Sequence, residues 1–338
     1  MQSPDVNEGA VDELRARPAV VLHRSMPVSP GPLADLTGLL DSIGFEVEER
    51  DDGPLDDLSR THVVWIWGCA NWFPRAMRSL VGRPAAQRPT TVLWHAEPFP
   101  LPRASGHRWP RLTPRELAKI ALRDRRASDV YSNYFTLRRL ISRGIPDLLA
   151  VTSGERAAFL AERGIEAFVA PVGHRTSDGR LLDLERDIDV LLLGMVNTPY
   201  RRRVVRSLRR AGVPLVTAGD YHDSSLWGES RTELVNRVKI MLSVGRFPGT
   251  LVGVRFQIAM ACGALVVSER PYDPAPYVPG EHFVQASVVD MPSVIERYLA
   301  DEGERARITQ QAHTFVTTEL TMERSFASLL DVVASRLS

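Results

Sequence analysis

The sequence has little of several residue types that mark whole classes of protein. It contains two cysteines, Cys69 and Cys262, which lie far apart and outside any CxxC or Cys/His ligand spacing. Neither a disulfide framework nor a zinc site is therefore indicated. No apolar run approaches the length of a membrane span, and residues 1–17 lack the apolar core of a signal peptide. We therefore expect a cytoplasmic protein without a transmembrane segment.

An excess of positive charge is also missing. The 42 Lys and Arg residues are balanced by 41 Asp and Glu, which leaves a formal charge of +1. This excludes the overall basic field with which proteins hold nucleic acid, so we expect no nucleic-acid partner. Only Lys119 and Lys239 are lysines. Because arginine is so frequent throughout the chain, an arginine cluster is not by itself a sign of a binding site.

The length and patterning predict two α/β domains. A chain of 338 residues exceeds one ordinary core, and its 44% apolar and 25% charged residues are typical of a globular protein. Short apolar segments alternate with helical ones in both halves, which predicts parallel sheets. The predicted strands are residues 18–23, 45–48, 62–67, 90–95, 148–152 and 167–170, then 188–193, 213–217, 239–244 and 265–268.

A glycine turn between a predicted strand and a predicted helix is the first candidate binding segment. Gly194 follows strand 188–193, and Thr198 suits the N-cap of the next helix. Arg201 lies in the first turn, where a cation opposes the helix dipole unless an anion is bound. A diphosphate binds at such a helix N-terminus in folds of this kind, and a solvated arginine face is the alternative. The candidate contacts are Gly194, Asn197, Thr198 and Arg201.

A charged residue in a buried helix is the second candidate. Residues 251–262 are apolar nearly all round the predicted helix, so Arg255 within it needs an anionic partner. That partner is either a structural carboxylate or a ligand phosphate, and the position near the carboxyl end of strand 265–268 favours the phosphate. Glu269, at the same strand end, is either an acceptor for ribose or sugar hydroxyls or an ordinary surface glutamate.

Two polar residues at the end of strand 90–95 form the third candidate. His95 and Glu97 precede a proline-rich loop, 98–110, that is long enough to have a function. The carboxyl ends of parallel strands are where ligands bind in such sheets, so both are candidate catalytic residues. A structural histidine is the alternative.

Several familiar motifs are absent. The chain has no GxGxxG after a strand, no GxxxxGK[ST], no GxSxG and no HExxH. Dehydrogenase, P-loop, α/β-hydrolase and zincin functions therefore lose their main support, and we expect no metal and no cofactor.

The C-terminal half resembles a known family. The residues that carry the resemblance are Arg255, 259–264 (Ala-Met-Ala-Cys-Gly-Ala), 266–269 and 279–281. From residue 187 onwards the chain resembles the C-terminal domain of group 1 glycosyltransferases, in particular the spore-maturation (CgeB-like) branch. Residues 94–100 are similar to the strand-end histidine segment of related retaining enzymes. Two positions depart from the pattern: Ile258 replaces the usual glutamate before Ala-x-Ala-Cys-Gly, and Met195 replaces a frequent arginine.

The resemblance implies the GT-B fold, an α/β architecture of two Rossmann-like domains facing each other across a cleft. We expect a flexible arm at 1–17, an acceptor domain at 18–171 and a nucleotide-sugar-binding domain at 172–338, whose C-terminal helices pack back. Pro171 to His174 is expected to act as a hinge that lets the domains close on the donor.

The same resemblance implies a metal-independent glycosyltransferase of hexosyltransferase type. Arg201 and Arg255 would stabilise the leaving diphosphate of a nucleotide-diphosphate sugar, and His95 would position the acceptor or the donor sugar. The acceptor is a small molecule, a glycan or another polymer, and the arginine-rich segment 110–126 allows peripheral membrane association. The alternatives are an inactive GT-B scaffold or sugar-nucleotide-binding protein and a GT-B sugar-nucleotide epimerase.

Overall fold

The computed structural model describes residues 19–22, 38, 40–41, 45–59, 61–107, 114–122, 130–219 and 226–337. These residues form two compact units. The first contains the described residues up to Pro102, from 114 to Ala170 and from Phe326 onwards; the second contains Arg103–His107 and Pro171–Ser325. The arm predicted at 1–17 lies outside the described residues.

The first unit is built on a six-stranded parallel sheet with the order β2-β1-β3-β4-β5-β6. Its strands are β1 Ala19–Leu22, β2 Val47–Arg50, β3 Val63–Gly68, β4 Thr90–His95, β5 Leu148–Val151 and β6 Phe168–Val169. Its helices are α1 Pro74–Gly82, α2 Pro114–Leu122, α3 Val130–Ile141 and α4 Gly154–Ala161. Strands β1, β3 and β5 are buried throughout their length, as expected of a sheet covered on both faces.

Helix α3 was not predicted from the sequence. Its buried residues include Ser132 and Asn133 as well as apolar ones, so no clean apolar stripe marks it. The Asn133 side chain donates a hydrogen bond to the Pro98 carbonyl oxygen, 3.0 Å away. This tertiary hydrogen bond satisfies the buried amide of Asn133, which the local sequence pattern could not explain.

The second unit is built on a five-stranded parallel sheet with the order β11-β10-β9-β7-β8. Its strands are β7 Ile188–Leu193, β8 Leu215–Ala218, β9 Val238–Ser243, β10 Leu265–Ser268 and β11 Val284–Gln285. Its helices are α5 Pro199–Arg210, α6 Glu229–Asn236, α7 Gly253–Ala261, α8 Met291–Ala300 and α9 Glu302–Thr314, followed by a π-helical turn, Phe315–Glu319, and by α10 Met322–Leu337. The two Rossmann-like parallel sheets confirm the predicted fold class.

The chain enters the second unit beside the segment by which it leaves. The His174 N–H donates to the Leu320 carbonyl oxygen (2.7 Å), and the Met322 N–H donates to the His174 carbonyl oxygen (3.0 Å). A Cβ at Gly173 would lie 2.1 Å from the Thr321 backbone, so only glycine fits there. Helix α10 then continues into the first unit, where the Phe326 ring lies 5.7 Å from that of Trp65.

Candidate functional site

The strand order of the second sheet predicts a binding crevice between β7 and β9. Strand β7 pairs with β8 on one side and with β9 on the other, so the direction of the chain across the sheet reverses between β7 and β9. In open parallel sheets, ligands bind outside the carboxyl ends of the strands at such a reversal. Gly194 follows β7, residues 244–252 follow β9, and Glu269 follows the neighbouring β10.

Gly194 and Arg255 lie in direct contact at this edge. Gly194 has φ +110°, and a Cβ there would lie 2.5 Å from Nη2 of Arg255. Gly219, after β8, lies against Gly194 in turn, where a Cβ would be 2.7 Å from the Gly194 nitrogen. These close approaches leave no room for side chains. The glycine backbone therefore forms one wall of a recess in which the Arg255 guanidinium lies.

Arg255 is a buried cation for which the described residues supply no compensating anion. Its guanidinium makes no hydrogen bond or ion pair with any residue that the structure describes, and Nη1 is buried without a partner. Burial, and then the positive charges of Arg201 and Arg246, lower the pKa of Arg255 to about 9. An unpaired buried charge is costly for a folded protein, so this arrangement favours binding of an anion.

The N-terminus of α7 adds to this positive region. Arg255 is the third residue of α7, whose N-cap residue, Val252, has no side chain that can accept a hydrogen bond. The first turn contains no acidic residue. The positive end of the helix dipole and the free backbone N–H groups of the first turn therefore lie at the same end of α7 as Arg255. This arrangement is typical of phosphate binding.

Arg201 lies beside this recess, but its guanidinium is used by the protein backbone. Nη2 and Nε donate to the Val244 carbonyl oxygen at 2.7 and 3.0 Å, and Nη1 donates to that of Met195 at 2.9 Å. Arg201 is only 3% exposed, and burial lowers its pKa to about 10. The side chain thus connects the loop after β7 to the loop after β9. Its positive charge still acts on Arg255, whose pKa it lowers.

Glu269 is a buried bridge between two elements of the site. One carboxylate oxygen accepts a hydrogen bond from the Gly245 N–H (2.6 Å), and the other accepts one from the Tyr200 hydroxyl (2.5 Å). Burial raises the pKa of Glu269, although the two donors and the charge of Arg201 oppose this. Glu269 is 5% exposed, so the alternative of a surface glutamate is wrong.

The remaining second-unit candidates lie at the start of α5. The Thr198 hydroxyl accepts a hydrogen bond from the Arg201 N–H (3.2 Å), which confirms it as the N-cap. Asn197 is exposed, and its carbonyl oxygen accepts from Nη1 of Arg202 at 2.8 Å. Thr198 therefore shapes the helix end, and the Asn197 side chain remains at the surface.

In the first unit, His95 is buried and neutral. It is the last residue of β4, is 1% exposed and stacks on Phe99 with ring centroids 4.3 Å apart. Neither ring nitrogen makes a hydrogen bond with a described residue. Burial, and then the positive charge of Arg156, lower the pKa of His95 to about 3, and the backbone of Glu97 offsets only part of this. The imidazole is therefore a neutral polar group buried at the end of β4.

Two further polar groups near His95 were missed by the sequence reasoning. His95 pairs in register with Val151, and the chain then passes through Ser153 into helix α4. The Ser153 hydroxyl and Nε of Arg156 are buried without a hydrogen-bond partner among the described residues. The sequence signal that could have identified Ser153 as a candidate is its position between a buried strand and a helix. The electrostatic influence of Glu97 on Arg156 places Glu97 in the same cluster.

The described residues form neither a metal-binding cluster nor a membrane-spanning helix. Within the ranges described above, no three histidine, cysteine or acidic side chains lie together in a way that could hold a metal ion. Across the same part of the chain, none of the helices combines the length and the apolar character needed to cross a bilayer.

Comparison with known proteins adds two findings to this geometry. Residues 201–331 match the family model described as "Glycosyl transferase-like". This segment contains Arg201, Arg255 and Glu269. Among curated proteins, none matches the sequence.

Solved glycosyltransferase structures resemble the whole chain in fold. Alr3699/HepE of Anabaena, crystallised with UDP and glucose, has a TM-score of 0.62 and 11% identity over 94% of this chain and 100% of that one. A glycosyltransferase of Rickettsia africae ESF-5 has a TM-score of 0.61 and 10% identity, covering 95% and 99% of the two chains. AviGT4, a glycosyltransferase of avilamycin A biosynthesis, has a TM-score of 0.52 and 16% identity over 94% of this chain and 97% of that one.

The fold and the sequence match therefore agree. The two parallel sheets of this chain have the GT-B fold of glycosyltransferases, and residues 201–331 match a glycosyltransferase-like family model.

Proposed function

We propose that this protein is a glycosyltransferase that uses a nucleotide-diphosphate sugar as donor. The observation that carries the proposal is the buried guanidinium of Arg255, which lies against the Gly194 backbone at the reversal point of the second sheet without a described anionic partner. A diphosphate supplies the missing charge. Since Alr3699/HepE was crystallised with UDP and with UDP-glucose, a uridine nucleotide is the first donor to test.

Arg255 would act on the leaving group. As the bond between the sugar and the diphosphate breaks, negative charge grows on the diphosphate, and a fixed cation in a dry recess stabilises that charge more than it stabilises the ground state. Arg201 adds charge from a position fixed by three backbone carbonyl groups. Because these arginines supply positive charge at the diphosphate, the proposal needs no metal ion.

The other candidates have supporting roles in the proposal. Gly194, which has no side chain, leaves the recess open to the diphosphate, and the N-cap Thr198 fixes the start of α5 beside it. Asn197, at the surface of the same loop, would contact the donor by its amide. Glu269 would offer an oxygen to a ribose hydroxyl only by exchanging its hydrogen bond from Tyr200, so we assign it mainly to fixing the loop after β9.

For the acceptor we propose the cluster at the end of β4. The neutral imidazole of His95 can accept or donate a hydrogen bond, and Glu97 can accept a proton from a hydroxyl group. The acceptor would be a small molecule or a glycan whose hydroxyl is the nucleophile. Transfer of a hexose, and membership of the spore-maturation branch, remain proposals based on the resemblance of residues 255–281.

A second candidate function is donor binding without transfer. Ile258, which replaces the glutamate of the family pattern, is 3% exposed and packed in the core of the second unit, so it offers no oxygen to a ligand. Met195, which replaces the frequent arginine, is 38% exposed at the edge of the site. An inactive GT-B protein would keep the phosphate recess of Arg255 and lack turnover.

The test combines binding and turnover. A panel of nucleotide-diphosphate sugars is screened by thermal shift, and release of free nucleoside diphosphate is then followed by chromatography. A transferase shows both a shift and release, whereas a binding protein shows the shift alone. Interconversion of donor sugars without release indicates an epimerase. If no donor of the panel shifts the melting temperature, the assignment of the Arg255 recess is wrong.

A further inference from the structure

A groove on the first unit lies between helices α1 and α3, apart from the strand-end cluster of His95. It has a volume of about 240 Å³. Met77, Val81, Leu140 and the exposed ring of Phe135 provide apolar surface. The groove could hold about eight groups of the size of a water molecule or a methylene, taking about 30 Å³ for each. That is enough for part of one hydrocarbon chain.

Three arginines, Arg78, Arg139 and Arg143, line the same groove and are exposed. Within the described ranges, none of their guanidinium groups makes a hydrogen bond or an ion pair, and no aspartate or glutamate lines the groove. Helices α1 and α3 contain no acidic residue. The groove therefore combines apolar surface with uncompensated positive charge.

Exposed arginines elsewhere in the protein are often paired. Arg180 forms a salt bridge with Glu229 at 2.6 Å, and Arg237 forms one with Asp187 at 2.5 Å. Since the composition supplies nearly as many acids as bases, the absence of acids among the described residues that line this groove is a local property. A ligand with an anionic group and an apolar chain matches both features.

We propose that this groove binds an anionic membrane lipid, with one acyl chain against Phe135 and the headgroup among Arg78, Arg139 and Arg143. Each arginine near an anionic membrane surface increases binding about fivefold, and one inserted chain adds reversible affinity. The three arginines together are therefore expected to contribute about a hundredfold. The first unit would thus attach the protein to an anionic membrane surface.

The test is co-sedimentation of the full chain with vesicles in the absence of any nucleotide sugar. We expect binding to vesicles of phosphatidylcholine and phosphatidylglycerol and little binding to vesicles of phosphatidylcholine alone. The triple variant R78Q/R139Q/R143Q should bind the anionic vesicles about a hundredfold more weakly. The matched control is R206Q/R209Q/R210Q, which removes the same charge from exposed positions of α5 and should bind as the wild type does.

A second pair of variants tests insertion of the chain. Thr136→Trp fills the groove and Phe135→Ser removes its exposed ring, while both keep all the arginines. Each should weaken vesicle binding and abolish binding of dodecyl phosphate, and inorganic phosphate should not compete. Circular dichroism confirms that the variants are folded. The inference is overturned if these two variants bind as the wild type does, if the two arginine variants lose binding equally, or if inorganic phosphate displaces the vesicles.

Discussion

Replacing Arg255 with methionine should stabilise the ligand-free protein and remove its affinity for nucleoside diphosphates. Methionine matches the aliphatic part of the arginine side chain and fits the apolar surroundings of α7. The buried charge disappears, and no described residue loses a hydrogen-bond partner, because the guanidinium has none. Stability and binding should therefore change in opposite directions.

The size of the gain follows from the burial of Arg255. Burial lowers its pKa from the ordinary value of an arginine to about 9. At about 1.4 kcal/mol for each pKa unit, this limits the cost of the charge to about 5 kcal/mol. Replacement of buried charged groups by apolar ones stabilises proteins by about 1–4 kcal/mol. Since 1 kcal/mol raises Tm by about 2–4 °C in a domain of about 150–250 residues, a gain of several degrees is expected.

The loss of affinity should be larger. Removing one member of a buried charge pair costs about 2–5 kcal/mol, which corresponds to about 30-fold to several thousandfold in Kd. Calorimetry with UDP measures the affinity, and differential scanning calorimetry without ligand measures the stability. The control is Arg206→Met, which removes an equal charge from an exposed position of α5. It should change neither quantity appreciably.

The reasoning fails if Arg255→Met lowers the Tm of the ligand-free protein, because Arg255 would then have a stabilising partner. It also fails if the variant binds UDP as tightly as the wild type does. A variant that gains stability, while the wild type binds no nucleotide, would mean that the recess serves another anion.

Three further changes test other parts of the two sites. Gly194→Ala should reduce UDP affinity at least tenfold, because its Cβ would displace the guanidinium 2.5 Å away; Gly212→Ala, also at positive φ but with no atom within 4 Å, should leave the Kd unchanged in calorimetry. Tyr200→Phe removes a hydroxyl that donates to the buried carboxylate of Glu269 and should destabilise the protein by about 1–3 kcal/mol in urea unfolding, and an unchanged midpoint would count against the bridge. Since the folded-state pKa of His95 is about 3 and the unfolded value about 6.5, the unfolded chain takes up the proton first as pH falls. Stability should then decrease by about 2 kcal/mol from pH 6.5 to pH 5, and His95→Gln should remove this part of the pH dependence of Tm.

The sequence by itself determined most of the architecture. Strands β4, β7 and β10 lie where the apolar runs predict them, because a strand covered on both faces must be apolar along its whole length. Arg255 could be identified in the same way, since a charge within an all-round apolar helix must be buried. Helix α6 and the two-residue strand β11 were missed, because neither carries enough periodic signal over its length.

Only the tertiary structure decided how the two candidate arginines differ. The sequence makes both Arg201, in the first turn of an arginine-rich helix, and Arg255, within an apolar helix, candidates for binding a diphosphate, and neither pattern shows which guanidinium the protein itself uses. In the folded chain, the loop after β9 presents the Val244 and Gly245 carbonyl oxygens to Arg201, whereas no described acceptor reaches Arg255. Hydrogen bonds between residues more than 40 positions apart in the sequence leave no trace in the local pattern.

The local sequence pattern also could not show the surroundings of Glu269 or of the polar cluster at the end of β4. Glu269 is buried against Gly245, which follows β9, and Tyr200, which follows β7. These residues meet because β10, β9 and β7 are consecutive neighbours in the sheet. His95 and Ser153 come together because the parallel register aligns the ends of β4 and β5. Composition and periodicity determine which segments are buried. The order and register of the strands determine which side chains meet at their ends, and therefore which groups remain without a partner in the protein.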